Sequence, residues 1–241
     1  MNYQWQWGVL LREPYLGWLL DGVKWTVAIS VVAFAIAMTL GIAVGVARTL
    51  RNRQVLRVAA VYVSLFRSVP LLVQLFLWYF VVPEILPEPF GYWLKRDLSN
   101  PEYWTTAVGL GLFMSARIAE QIRAAINACG AGLGNAARAQ GMGTVQIYRH
   151  ILLPVGFRYA LPTLTSELLN TVKNSSLALT IGMLELTGQS RQVEAYTFKG
   201  IETFTASTTI YILMSLAVIF ASRHLERMMA IPGMLSTRDK D

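Results

Sequence analysis

Four ionisable side chains stand within or at the edge of long apolar stretches: Arg67, Glu120, Glu167 and Lys173. An Arg or Lys at the middle of a bilayer costs about 2.5–3.5 kcal/mol on insertion scales, so such residues face protein or a water-filled path. Two readings fit. In one, the four line a pathway: Arg67 and Lys173 offer positive charge to a carboxylate, while Gln74, Asn174 and Ser175 offer hydrogen bonds. In the other, they pair internally, Glu167 with Lys173 for example, or snorkel to an interface. Pro70 lacks a backbone donor and bends or starts the helix that carries Gln74. The apolar stretches hold no His pair, Asp dyad or Ser-His set, which argues against an embedded enzyme. A passive channel would have no need of a structured cytoplasmic loop.

Such a loop is the second candidate. Residues 135–154 read NAARAQGMGTVQIYRHILLP. Ala136, Ala137 and Ala139 favour a helix. Gly141 can break it, and Thr144 can cap another. Val145, Tyr148, Ile151 and Leu152 then recur at helical spacing, and Pro154 ends the pattern. A helix, a glycine break and an amphipathic helix suit insertion into a groove on a partner protein. They equally suit a helix lying on lipid headgroups.

The positioning elements follow from composition. Apolar residues make up 54% and charged residues 15%, against about 25% charged in an ordinary soluble domain. The formal charge of +7 is dispersed between apolar runs, which speaks against nucleic acid as a partner and for a bilayer. The single Cys129 forms no internal disulfide, and His150 and His224 have no clustered ligands for zinc. Trp25–Ala47 is uncharged and long enough to cross the hydrocarbon core. Along it Ala33, Ala37, Gly41 and Gly45 form a small-residue face for close helix contact. Further spans are read at 58–82, 104–122, 157–183 and 203–222, with a mixed-charge loop from Glu185 to Glu202. An external loop, with a short helix near Phe90 to Leu94, fills 83–103.

Five spans put the arginine-rich loops (48–57 and 123–156) and the basic tail on one side, the cytoplasm, and the N-terminus outside. All seven tryptophans then map to the outer side. The expectation is an all-α, polytopic membrane bundle. It comprises an external or interfacial segment at 1–20, a transmembrane domain at 21–229 with a cytoplasmic loop at 131–156, and a tail at 230–241. The Trp-rich N-terminus does not read as a cleavable signal.

The 135–154 segment resembles the EAA loop of ABC importer permeases, with Ala136, Ala137, Gly141, Leu152, Leu153 and Pro154 matching in kind and spacing. The stretch from Phe66 to Gln74 is similar to the FRGTPLLVQ signature of the polar amino-acid permeases. Ser115 to Glu120 with Arg123 resembles their third-helix segment, and Lys173 to Leu177 their Lys-(Asp/Asn)-(Thr/Ser)-Ser-Leu motif. The KNSSLA wording and the Ile231-Pro232-Gly233 end look most like the glutamate/aspartate branch. Permeases for glutamine, histidine or basic amino acids share most of these motifs.

The resemblance implies a permease subunit in a bacterial inner membrane. It would pair with a second permease chain, similar or identical, receive substrate from a periplasmic binding protein, and be gripped at its loop by two ATPase subunits. ATP and Mg belong to those subunits, since this chain has no G-x-x-x-x-G-K-[ST] loop and is expected to be neither an enzyme nor a cofactor binder. The implied coupling residues are Asn135, Ala136, Ala137, Arg138, Gly141, Tyr148, Leu153 and Pro154. The implied pathway set is Arg67, Pro70, Gln74, Ser115, Glu120, Glu167, Lys173, Asn174 and Ser175. The motif's usual Glu is Asn135 here, so coupling rests on the fit around Gly141 or on Arg138 or Arg149 meeting an acidic partner.

Overall fold

The computed structural model describes residues 3–229, and among these every regular element is helical. The expected tail at 230–241 lies outside the described residues. Helices α1 to α3 are Tyr15–Ala47, Arg53–Ser68 and Leu71–Ile85. Helix α4, Glu88–Tyr92, runs on into a π-type turn, Trp93–Asp97. Next come α5, Pro101–Ala128, and α6, Gly130–Ala139. Helix α7, Thr144–Ile147, passes through a π-type turn, Tyr148–Leu152, into α8, Leu153–Asn174. A 3-10 turn, Ser175–Ile181, leads to α9, Leu186–Thr197, and α10, Gly200–Met229.

The parallel pair α1 and α5 forms the centre. Ala33, Ala37, Gly41 and Gly45 are all buried, so the small-residue face is a packing face. A Cβ on Gly41 would lie 2.6 Å from Ile118 Cγ2, and one on Gly45 would lie 2.8 Å from the Ala119 carbonyl oxygen. Contacts climb together along the two helices, from Trp25 against Tyr103 to Gly45 against Ile122, which fixes their parallel sense. Helix α8 runs the other way along α5: Gly156 meets Ile126, and Glu167 meets Arg117. Ile29, Leu75, Leu110, Met114, Ile118 and Ile122 fill the core.

By length and apolarity, α1 and α10 each suffice to cross a bilayer, and the bent pair α2–α3 adds a third if it counts as one span. The stretch read as a single span at 58–82 is two helices that meet at 101°. Val69, held extended by the following proline, and Pro70 itself interrupt the helix. The bend frees backbone carbonyls, and the Gln74 amide donates to two of them, Phe66 O at 2.8 Å and Val69 O at 2.9 Å.

The segment read as a mixed-charge loop, 185–202, is mostly helix α9. Gly22 on α1 lets it approach closely, since a Cβ there would lie 2.8 Å from the Leu186 Cα. Glu185 caps α9, its carboxylate accepting from the backbone N–H of Thr187 and Gly188, both at 3.0 Å. The same carboxylate accepts from the Tyr211 hydroxyl of α10 at 2.6 Å.

Candidate functional site: the 135–154 loop and the charged core

The loop forms as a helix, a break and a second helix. After α6, Gly141 adopts φ +81°, a left-handed conformation that glycine enters without steric cost. Its N–H donates to Arg138 O at 2.9 Å, and Met142 N–H donates to Ala137 O at 3.2 Å, so the end of α6 is closed. Thr144, read as a cap, is instead the first residue of α7. The turn before it is closed by the Gln146 side chain, which accepts from Gly143 N–H at 2.9 Å. Pro154, read as the end of the pattern, instead opens α8. It lies just after the π-type turn Tyr148–Leu152, where the regular hydrogen-bond ladder is already interrupted, so the helix runs on through it.

Ala137 and Ile147 face inward, while Val145 is 78% exposed, so the inward stripe includes a residue the spacing argument missed and omits one it included. Ala136, Arg138, Arg149 and His150 are exposed, and Leu153 is half-buried. The Arg138 guanidinium donates to Asn135 Oδ1 at 3.0 Å. The Tyr148 hydroxyl donates to Thr49 O at 3.1 Å and shares a 3.0 Å hydrogen bond with Thr49 Oγ1, tying the loop to the end of α1.

The charged residues of the core resolve into two nodes. Buried Glu167 accepts two hydrogen bonds from Arg117 of α5, from Nε at 2.7 Å and Nη2 at 3.1 Å. Its partner is therefore Arg117 and not Lys173, because one helix separates charges six positions apart while neighbouring helices bring Arg117 alongside. Glu120 forms ion pairs with Arg48, at the end of α1, and with Arg123 one turn along α5, at 2.9 Å. Arg117, Arg48 and Thr49 had no signal in local spacing, because each meets its partner across helices.

The other candidate pathway residues separate. Arg67 and Pro70 are exposed at the α2–α3 bend, and the Gln74 amide nitrogen stitches that bend while its Oε1 is buried without a partner among the described residues. Ser115 is buried, hydrogen-bonded to the Tyr62 hydroxyl of α2 at 2.7 Å. Ser175 is buried and donates to Val172 O at 2.8 Å. Lys173 is exposed and Asn174 half-buried at the end of α8.

A helical membrane component with a helix–glycine–helix loop joined to its core is what these features define. Residues 18–231 match the family of binding-protein-dependent transport system inner membrane components, and the chain belongs to that family. It is 40% identical to the glutamate/aspartate import permease protein GltJ of Escherichia coli (strain K12), over 97% of this chain and 98% of that one. It is 30% identical to the glutamine transport system permease protein GlnP of the same strain, over 90% of this chain and 95% of that one. Among solved structures, an amino acid ABC transporter crystallised with histidines superposes with a TM-score of 0.78 at 25% identity, covering 93% of this chain and 99% of that one. The inward-facing MetNI methionine ABC transporter shares the fold at a TM-score of 0.76 and 22% identity, covering 91% and 100%.

Proposed function

We propose that the chain is the permease subunit of an ATP-driven, binding-protein-dependent importer of acidic amino acids, glutamate and aspartate. The observation that carries this is the glutamate/aspartate permease relative, 40% identical across nearly the whole of both chains. The helix–glycine–helix loop supports it, because its second helix is continuous with α8 and its Tyr148 holds α1. Displacement of the loop by a partner therefore reaches α8 through the backbone, α1 through Thr49, and α5 through the Glu167–Arg117 pair. Hydrolysis of ATP, with Mg, takes place on two ATPase subunits that grip the loop. A second permease chain supplies the other half of the pathway, and a periplasmic binding protein delivers substrate.

The reading places five spans in a bacterial inner membrane, with the N-terminus outside. The parallel sense of α1 and α5 supports it, since one intervening crossing, the bent α2–α3 pair, returns the chain to the outer side. Residues 1–20 are then external or interfacial, 21–229 form the transmembrane domain, and 230–241 form the cytoplasmic tail. The glutamine permease relative at 30% identity favours a second reading, import of another polar amino acid. The test is uptake into proteoliposomes holding the complete complex, against a panel of amino acids with and without ATP. ATP-dependent uptake of glutamate and aspartate is expected. Uptake of glutamine alone selects the second reading, and ATP-independent flux refutes both.

A further inference from the structure

Between the end of α1 and the loop lies a cleft of about 420 Å³. Its floor is Ile126, Gly134 and Leu152, and its polar rim is Thr49, Arg51, Asn127, Asn135, Arg138 and Tyr148. The chemistry of that rim is one-sided. Arg51 and Arg138 supply two guanidiniums, Asn127 supplies an amide, and among the described residues none lining the cleft is acidic. The nearby carboxylate of Glu120 is already engaged by Arg48 and Arg123. Asn135 occupies one N–H group of Arg138. A guanidinium has five such donors in a planar fork, so Arg138 keeps the means to bind a carboxylate with two parallel bonds.

Covering two guanidiniums without a counter-ion is strongly unfavourable. A protein that seats on this loop must therefore bring the anion with it. We propose that the Arg51–Arg138 cleft receives an acidic side chain of the ATPase subunit. The polarity of this contact is reversed relative to a loop with a carboxylate at position 135: here the permease provides the cations and the partner the acid. The proposal rests on the reading that an ATPase grips the loop. Charge complementarity chooses the occupant's chemistry, and the position of the cleft against α6 and Tyr148 chooses its source.

The experiment uses the whole transporter, with Arg51→Lys and Arg138→Lys made singly. Both keep the positive charge but present a primary amine, which a water-soluble carbodiimide joins to a carboxylate in contact with it. An amide cross-link from position 51 or 138 to an Asp or Glu of the ATPase, found by peptide mass spectrometry and missing from the unmodified complex, is expected. The double change Arg51→Glu with Arg138→Glu should weaken ATPase capture by about tenfold or more, as for other desolvated charge pairs. Complexes that assemble normally but cross-link at neither position would overturn the proposal. So would ATPase capture, measured without carbodiimide, that excess free aspartate abolishes, because the cleft would then serve a soluble dicarboxylate. If the unmodified chain captures no ATPase at all, the underlying assignment of the loop fails first and the proposal falls with it.

Discussion

Replacing Gly41 by Ala puts one methyl group into the tightest part of the α1–α5 contact. The added carbon would lie 2.6 Å from Ile118 Cγ2, 2.8 Å from Ile118 Cβ and 3.0 Å from Ser115 O. Carbon atoms pack best at about 3.5–4.0 Å, so the helices must separate locally by roughly 1 Å. Ile118 is fully buried and β-branched, and cannot rotate aside. Overpacking of this kind costs about 1–3 kcal/mol. Against it stands the gain of about 1 kcal/mol when Ala replaces Gly inside a helix. Gly132→Ala in α6 isolates the packing cost, since an added Cβ there has nothing within 4 Å. The assay is unfolding of the isolated permease in mixed micelles titrated with SDS. Gly41→Ala should be less stable than Gly132→Ala by about 1–3 kcal/mol. Equal stability of the two variants would refute the close α1–α5 approach. Adding Gly45→Ala should cost less than it does alone, because the first methyl has already opened the contact one turn away.

Three further outcomes are expected. Glu167→Gln loses the charge-assisted fork to Arg117 and should destabilise the permease by about 1–3 kcal/mol in the same titration, the half-exposed Arg117 retaining partial solvation. Tyr148→Phe keeps the ring but loses both hydrogen bonds to Thr49. A loss of about 1 kcal/mol is roughly fivefold in an equilibrium, and it should appear as fewer substrate molecules moved per ATP hydrolysed, with ATPase capture unchanged. Lys173→Ala should abolish glutamate uptake while assembly and stimulated ATP hydrolysis stay normal, and unaltered uptake would remove Lys173 from the pathway.

Features governed by local rules were legible in the sequence. The uncharged run Trp25–Ala47 announces α1, and its four small residues announce the face that packs. Gly141 marks the break in the loop because its left-handed φ is a backbone property of glycine. Features settled by tertiary contacts were not legible. Helix α9 buries Gly188, Gln189 and Ser190 between Leu186 and Val193, so the apolar stripe that signals a helix is interrupted by small and polar residues. Glu167 meets Arg117 fifty positions away, beyond any local pattern. The sequence offered Gln74 as a polar group, and the bend at Pro70, which local spacing does not show, engages its amide nitrogen. Pro154 signals a helix end by its missing N–H, but the π-type turn just before it lets the helix run on, and that turn has no local signature.

The backbone from Thr144 through Leu153 into α8 contains no loop, although Pro154 and Pro162 both lie along it. At about 1.5 Å per residue, the rod between Thr144 and Pro162 is about 27 Å long. It has one slack point, the π-type turn at Tyr148–Leu152, and that point is where Tyr148 fastens it to α1. Stiffness therefore decides where motion goes. A push on α7 swings the rod about that turn, and a tilt of about 10° would carry Pro162, about 17 Å away along the helix, through about 3 Å. That stroke is about half a helical turn, enough to shift the contacts that α8 makes with α5 at Ile126 and Arg117.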